Sequence, residues 1–376
     1  DEILGQPEFT ALAHSAGMER DTSATAADPR ERVRAVLYHM PYFDNTSQYQ
    51  WFLEISRAYF DFQGDRLTLT DATWLSDHAE RRMGRRDWEA TVVRQTNLKQ
   101  VFVTCDFDDP LTGFETSRFV PVLRTDDLVF RLDEPDVRER LAKATGIEVG
   151  DAASIRQALA KLFQHFKEHG AKACVVSLPP DFTPRPATDA EMARDARTRS
   201  AGVVWMLAEQ CRQVDLPFEL LTGVSRQVYR HGVPQGQDLF DQRTSLIQYV
   251  ELFNAFPEVT FPVAVLSTSQ IQELVSYSCI FPNVVAFGHW WFSNLPPFIE
   301  SELRARLMGV PKIEQIGYFS EAPKLELVLP KFNMYRRILA TVLADDYVRP
   351  RLYSESQALQ VARLLLHDNL ERIFDL

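Results

Sequence analysis

Two arginines each close an apolar, β-rich run of the chain: Arg124 in 119-FVPVLRTD-126 and Arg226 in 218-FELLTGVSR-226. A guanidinium is a planar fork of N–H donors that fits a carboxylate with two parallel bonds. A single arginine at a strand end reads as an ion-pair partner, whereas two at equivalent ends suit a carboxylate-bearing substrate. Other apolar runs finish in the same manner. The run 100-QVFVTCDF-107 leads into Asp106, Asp108 and Asp109, and 173-ACVVSLPPD-181 ends in Asp181. The run 284-VVAFGHWWF-292 delivers His289, Trp290 and Trp291, with Asn294 just beyond, and 313-IEQIGYFSE-321 ends in Glu321, with Lys324 close behind. Carboxylates such as Glu321 and Asp108 can move protons, while indoles wall a pocket and polar side chains orient what enters it. Each feature also has a bland reading. The 106-DFDDP-110 cluster can be a solvated turn, His289 a satisfied inner-wall histidine, and Glu321 a structural carboxylate. The chain contains no His-x-His and no HExxH, so spacing alone gives no metal signature.

The elements that must position these residues can be read from hydrophobic pattern. From residue 98 onward a short apolar run, a polar loop and a segment of helical period recur, with further runs at 259-VTFPVAVLS-267. The runs are continuous rather than alternating, as expected for parallel strands covered on both faces. In 151-DAASIRQALAKLFQHFKEHG-170, Ile155, Leu159, Leu162, Phe163 and Phe166 share a face, with Asp151 placed to cap the start and Gly170 to end the helix. Further helices are expected at about 186–214, 243–256, 269–280, 296–309, 330–347 and 355–374, and none between the first two strands. Alternating β and α elements imply a parallel sheet, and seven strands fall one short of an α/β barrel of the (β/α)8 type. A doubly wound open sheet is the rival, but no Gly-rich phosphate loop follows any strand. Residues 1–97 read as an aromatic, helical N-terminal or lid region packed on a barrel spanning 98–376. The expected first strand would precede Asp1.

Composition narrows the function classes. The net charge of −11 disfavours a nucleic-acid partner or an anionic membrane, both of which call for clustered Lys and Arg. No run approaches a membrane span and no signal-peptide pattern opens the sequence. Cys105, Cys174, Cys211 and Cys279 are scattered without CxxC spacing, which reads as reduced thiols in a cytoplasmic protein. A homo-oligomer is left open.

The last third carries a family resemblance. The runs 284-VVAFGHWWFSN-294 and 317-GYFSEAPKLELVLPKFNMYRRILATVLADD-346 resemble the uronate (glucuronate) isomerases of the amidohydrolase superfamily, as does the closing 367-HDNLERIFDL-376. Upstream, 104-TCDFDDP-110, 121-PVLRTD-126 and 221-LTGVSR-226 are similar to that family's TxDDP, PxxRPD and HxGxxR segments. The resemblance covers about residues 95–376 and implies a barrel whose seventh and eighth strands end at Trp290-Trp291 and Glu321. It further implies a hexuronate substrate contacted by Arg124, Arg226, His289, Trp290, Trp291, Asn294 and Lys324, with Tyr49 as an aromatic contact from the N-terminal region. The family's metal is held by a His-x-His on the first strand and an Asp on the eighth. A divalent cofactor, zinc foremost, is therefore expected on Glu321, with the missing imidazoles on the strand before Asp1. Glu321 stands where the family has Asp, Pro323 where it has Arg, and Leu221 where it has His.

Three functions follow from the resemblance. One is aldose–ketose isomerisation of a hexuronate such as glucuronate or galacturonate, by metal-assisted proton transfer through an enediol. The second is another reaction of the superfamily on an acidic substrate, and the third is a sugar-acid-binding homologue without catalysis.

Overall fold

The computed structural model describes residues 1–23 and 28–376. Nine strands occur among them: β1 (Val101–Asp106), β2 (Phe119–Arg124), β3 (Ala173–Leu178), β4 (Phe218–Thr222), β5 (Val224–Ser225), β6 (Leu239–Phe240), β7 (Phe261–Val265), β8 (Val284–Phe287) and β9 (Gln315–Ile316). Seven of these form one sheet in the order β1-β2-β3-β4-β7-β8-β9, with every neighbouring pair parallel. Each apolar run singled out in the sequence contains one of these seven strands.

The alternation of side chains sorts the sheet into two faces. Cys174, Val176 and Leu178 of β3, Phe218 and Leu220 of β4, and Phe261, Val263 and Val265 of β7 pack under the helices. Their neighbours Val175, Leu221, Ala264, Val285 and Phe287 meet on the opposite, concave face. Phe374 of the last helix (Asn369–Phe374) lies 4.8 Å from Phe102 of β1 and 6.4 Å from Phe287 of β8. Strands near the two edges of the sheet thus share one side chain, so the sheet is curled into a barrel-type α/β fold rather than spread open.

The helix expected at 151–170 spans Ala152–Glu168, and the Asp151 side chain accepts the backbone N–H of Ser154. The expected 186–214 segment is two helices, Asp189–Met192 and Ala196–Val214. It divides because Asp195 is extended and its carboxylate caps the second helix at Thr198 N–H. Two helices between β2 and β3, Asp126–Phe130 and Pro135–Thr145, lie outside the sequence expectation. The antiparallel pair β5–β6 was likewise not foreseen, since two-residue strands leave no period to detect.

The N-terminal segment is helical, as expected: Pro7–Ser15, Pro29–His39, Ser47–Phe60, Ala72–Met83 and Trp88–Thr96. Its apolar faces are continuous with the last third of the chain. Phe9, Trp51, Phe52, Tyr59 and Phe60 share one core with Ile299, Leu303, Tyr318, Met334 and Tyr335. No helix of the described residues is long and apolar enough to cross a membrane.

Candidate active site

At the carboxyl ends of the strands, β1 and β2 place Asp106 opposite Arg124 in register. Asp126, two residues on, accepts from Arg124 Nε at 3.3 Å, and its other oxygen lies 3.8 Å from Arg226 Nη2. Arg226 Nη1 donates to Asp238 at 2.7 Å, and that carboxylate also accepts the Gln227 N–H at 2.7 Å. Two guanidiniums from different strand ends therefore converge on one carboxylate. Both remain about half exposed, at 47% for Arg124 and 50% for Arg226, so they keep donors for a second anion. Asp238 sits just before β6, which turns the chain after Arg226 back over the strand ends.

The second part of the site is built on β8 and β9. The apolar run at 284–292 stops being strand at Phe287 because Gly288 has φ +52°, and a Cβ there would lie 1.9 Å from the Phe319 ring. Only glycine permits that approach. Beyond it, Trp290 Nε1 donates to Glu321 Oε1 at 2.5 Å, and the Trp291 N–H donates to Glu321 Oε2 at 2.9 Å. Trp291 and Glu321 are both left-handed, at φ +44° and +45°, an uncommon state for side-chain-bearing residues. The Glu321 residue as a whole is exposed, but its carboxylate is turned inward against the two tryptophans. Burial pushes that carboxyl up to about 7, against the opposing pull of Lys331 and the two N–H donors. Such a group is poised to give and take protons near neutrality.

Sequence alternation predicts opposite faces for the two indoles. The structure places both on the concave face, with Trp290 buried and Trp291 partly so, because strand geometry has ended three residues earlier. Lys331 is a site residue that sequence reading missed. Its ammonium bonds Glu8 Oε1 at 2.5 Å and the Glu321 carbonyl at 3.2 Å, and lies 4.9 Å from the Trp51 ring centroid. The available signal was a lysine set among apolar residues in 327-LVLPKF-332.

Other expected site residues stand apart from this group. Asp108 is held by Arg140 through Nε at 2.8 Å and Nη2 at 2.6 Å, which keeps its carboxyl below the usual range. His289 is 1% exposed, with Nδ1 2.9 Å from Glu302, whose other oxygen binds Arg306. Burial lowers the His289 pKa, so the ring is held neutral among core groups and does not line the strand ends. Asn294 is buried and accepts from the Tyr318 hydroxyl at 2.8 Å. Tyr49 belongs to the N-terminal core, where its oxygen accepts the Leu67 N–H at 3.1 Å, and Lys324 pairs with Glu2 at 2.8 Å.

The described residues do not make a divalent-metal site at Glu321. Both carboxylate oxygens already accept N–H groups, and among the described residues no group of three His, Cys, Asp or Glu donors includes Glu321. One such group, His367, Asp368 and Glu371, lies on the last helical segment. There Asp368 is bonded by Arg363 and Glu371 by Lys99, ahead of β1 at the opposite ends of the strands.

No family model matches the chain. The uronate isomerase of Corynebacterium efficiens is 22% identical over an alignment covering 98% of this chain and 86% of that protein. The crystal structure of the uronate isomerase from Thermotoga maritima superposes with a TM-score of 0.89 at 16% identity, covering 98% of this chain and 88% of that one. The glucuronate isomerase from Caulobacter crescentus gives 0.88 at 16% identity, covering 98% and 85%. In sequence along nearly its whole length, and in fold, the chain is similar to uronate isomerases.

Proposed function

We propose that this protein interconverts the aldose and 2-ketose forms of a hexuronate. The observation that carries the reading is the convergence of Arg124 and Arg226 on Asp126 at the strand ends that also present Glu321. The two guanidiniums would receive the sugar carboxylate, displacing part of their hold on Asp126. Glu321, near neutrality in pKa, would take the proton from C2 as O1 gains one, giving an enediol. Loss of the O2 proton and return of a proton to C1 would complete the ketose. Trp291, partly exposed beside Glu321, supplies a flat apolar wall for the sugar. The similarity to uronate and glucuronate isomerases supports this substrate class.

The test is steady-state isomerisation of glucuronate and galacturonate by the native protein and by Arg226→Met. The variant should raise KM by about tenfold or more, as expected for a lost charge-assisted pair of about 1.5–3 kcal/mol. Its melting temperature should move by only a few degrees, because Arg226 is half exposed. A large stability loss with unchanged KM would make Arg226 a structural ion-pair partner and remove it from substrate binding.

A further inference from the structure

We infer that Lys331 is the positioning residue of Glu321, and that through it the N-terminal helices hold the strand-end carboxylate in place. The inference rests on the reading of Glu321 as the proton-transfer group, but its geometry stands independently. Lys331 is 1% exposed, in the first turn of the helix Val328–Leu343. A buried ammonium is costly unless charge and hydrogen bonds compensate it. Here each compensation comes from a different part of the chain. Glu8 of the helix Pro7–Ser15 supplies the counter-charge, and Trp51 of the helix Ser47–Phe60 supplies an aromatic face. The carbonyl of Glu321 supplies the acceptor.

Neither partner is an ordinary surface contact. The second oxygen of Glu8 is buried without a hydrogen-bond partner, so that carboxylate is committed to Lys331. Trp51 is itself 4% exposed. Glu321 holds a left-handed conformation that its residue type disfavours, and something outside its own segment must fix it. Its side chain is gripped by the β8 loop and its main chain by Lys331, which leaves the carboxylate one orientation. Helix integrity alone would not require a charged group at this place, since leucine or methionine serves a buried helix face better.

The test is the indole N–H resonance of Trp290 in 15N-labelled protein, because that proton is donated to Glu321 Oε1. Two variants are compared with the native protein: the double variant Lys331→Met/Glu8→Leu, which removes both charges so that neither is left buried alone, and Lys331→Arg. The double variant should shift the Trp290 resonance upfield toward that of a free indole, and Lys331→Arg should keep it near the native position. Where hexuronate turnover is measured, kcat should fall by about tenfold or more in the double variant, with KM changed by less than about threefold. If the double variant does not fold, Glu8→Gln gives the same reading by a partial shift. A native-like Trp290 resonance in the folded double variant, or in folded Glu8→Gln, overturns the inference. Absence of turnover by the native protein would count against the isomerase reading alone, because the resonance reports the geometry without substrate.

Discussion

Glu219 is a carboxyl in the wrong solvent. It stands between Phe218 and Leu220, which face the helices, so it points with Leu221 into the concave face of the sheet. Burial pushes its pKa up to about 8. Below the unfolded value near 4.5 both states are protonated and the group is neutral to stability. As pH rises toward 8 the unfolded chain releases this proton while the folded one retains it, so stability is progressively lost and the full penalty is present above pH 8. At roughly 1.4 kcal/mol per unit, the loss amounts to a few kcal/mol. Glu219→Gln should therefore raise the denaturation midpoint clearly at pH 8.5 and little at pH 5, measured by urea unfolding at both. Equal effects at the two pH values would mean that Glu219 is solvated. At this scale the sequence was informative where chemistry stood at strand ends, as with Arg124, Arg226, Trp290 and Glu321. It was silent on Glu8, whose partner Lys331 is 323 residues away, and on Asp238, which the β5–β6 pair brings to Arg226.

At the level of elements, the end of β8 decides how the site is built. The strand stops at Phe287, and the following residues are anchored from behind by the helix Pro296–Gly309, which carries Glu302 and Arg306. Burial alone would raise the Glu302 carboxyl, but Arg306 and His289 outweigh it and hold it below the usual range. Glu302→Gln should cost about 3–5 kcal/mol, because Arg306 at 2% exposure would be left as a buried charge without its partner. Chemical denaturation checks this value. A change below about 1 kcal/mol would show that water reaches the pair. The tryptophans divide by burial rather than by strand alternation. Trp290→Ala, at 4% exposure, should cost roughly 3–5 kcal/mol, whereas Trp291→Ala should cost less and mainly weaken hexuronate binding. Comparable stability losses with unchanged affinity would take Trp291 out of the pocket wall. The alternation argument failed here for a local reason, since one glycine held against Phe319 ends the strand.

Across the whole molecule, the parallel sheet was legible because its strands are continuous apolar runs separated by helical periods, and this pattern survives low sequence identity. The helices Asp126–Phe130 and Pro135–Thr145 escaped notice because their charged faces hide a narrow apolar stripe of Leu128, Val129, Val137 and Leu141. Which side chains join the N-terminal helices to the last third of the chain was hidden, since the partners are far apart in sequence, such as Trp88 and Glu326, 238 residues apart at the two ends of one hydrogen bond. These long-range contacts bring Glu8 and Trp51 to Lys331 and hence to Glu321. The fold, the arginine pair and the poised carboxylate are joined by one chemical claim, proton exchange at C1 and C2 of a hexuronate. Proton NMR of glucuronate incubated with the native protein in deuterated water tests it most directly. The account predicts growth of ketose signals with deuterium entering at C1, slowed by at least about a hundredfold in Glu321→Gln. A substrate that binds but shows neither ketose nor deuterium, or turnover unchanged in Glu321→Gln, would contradict it.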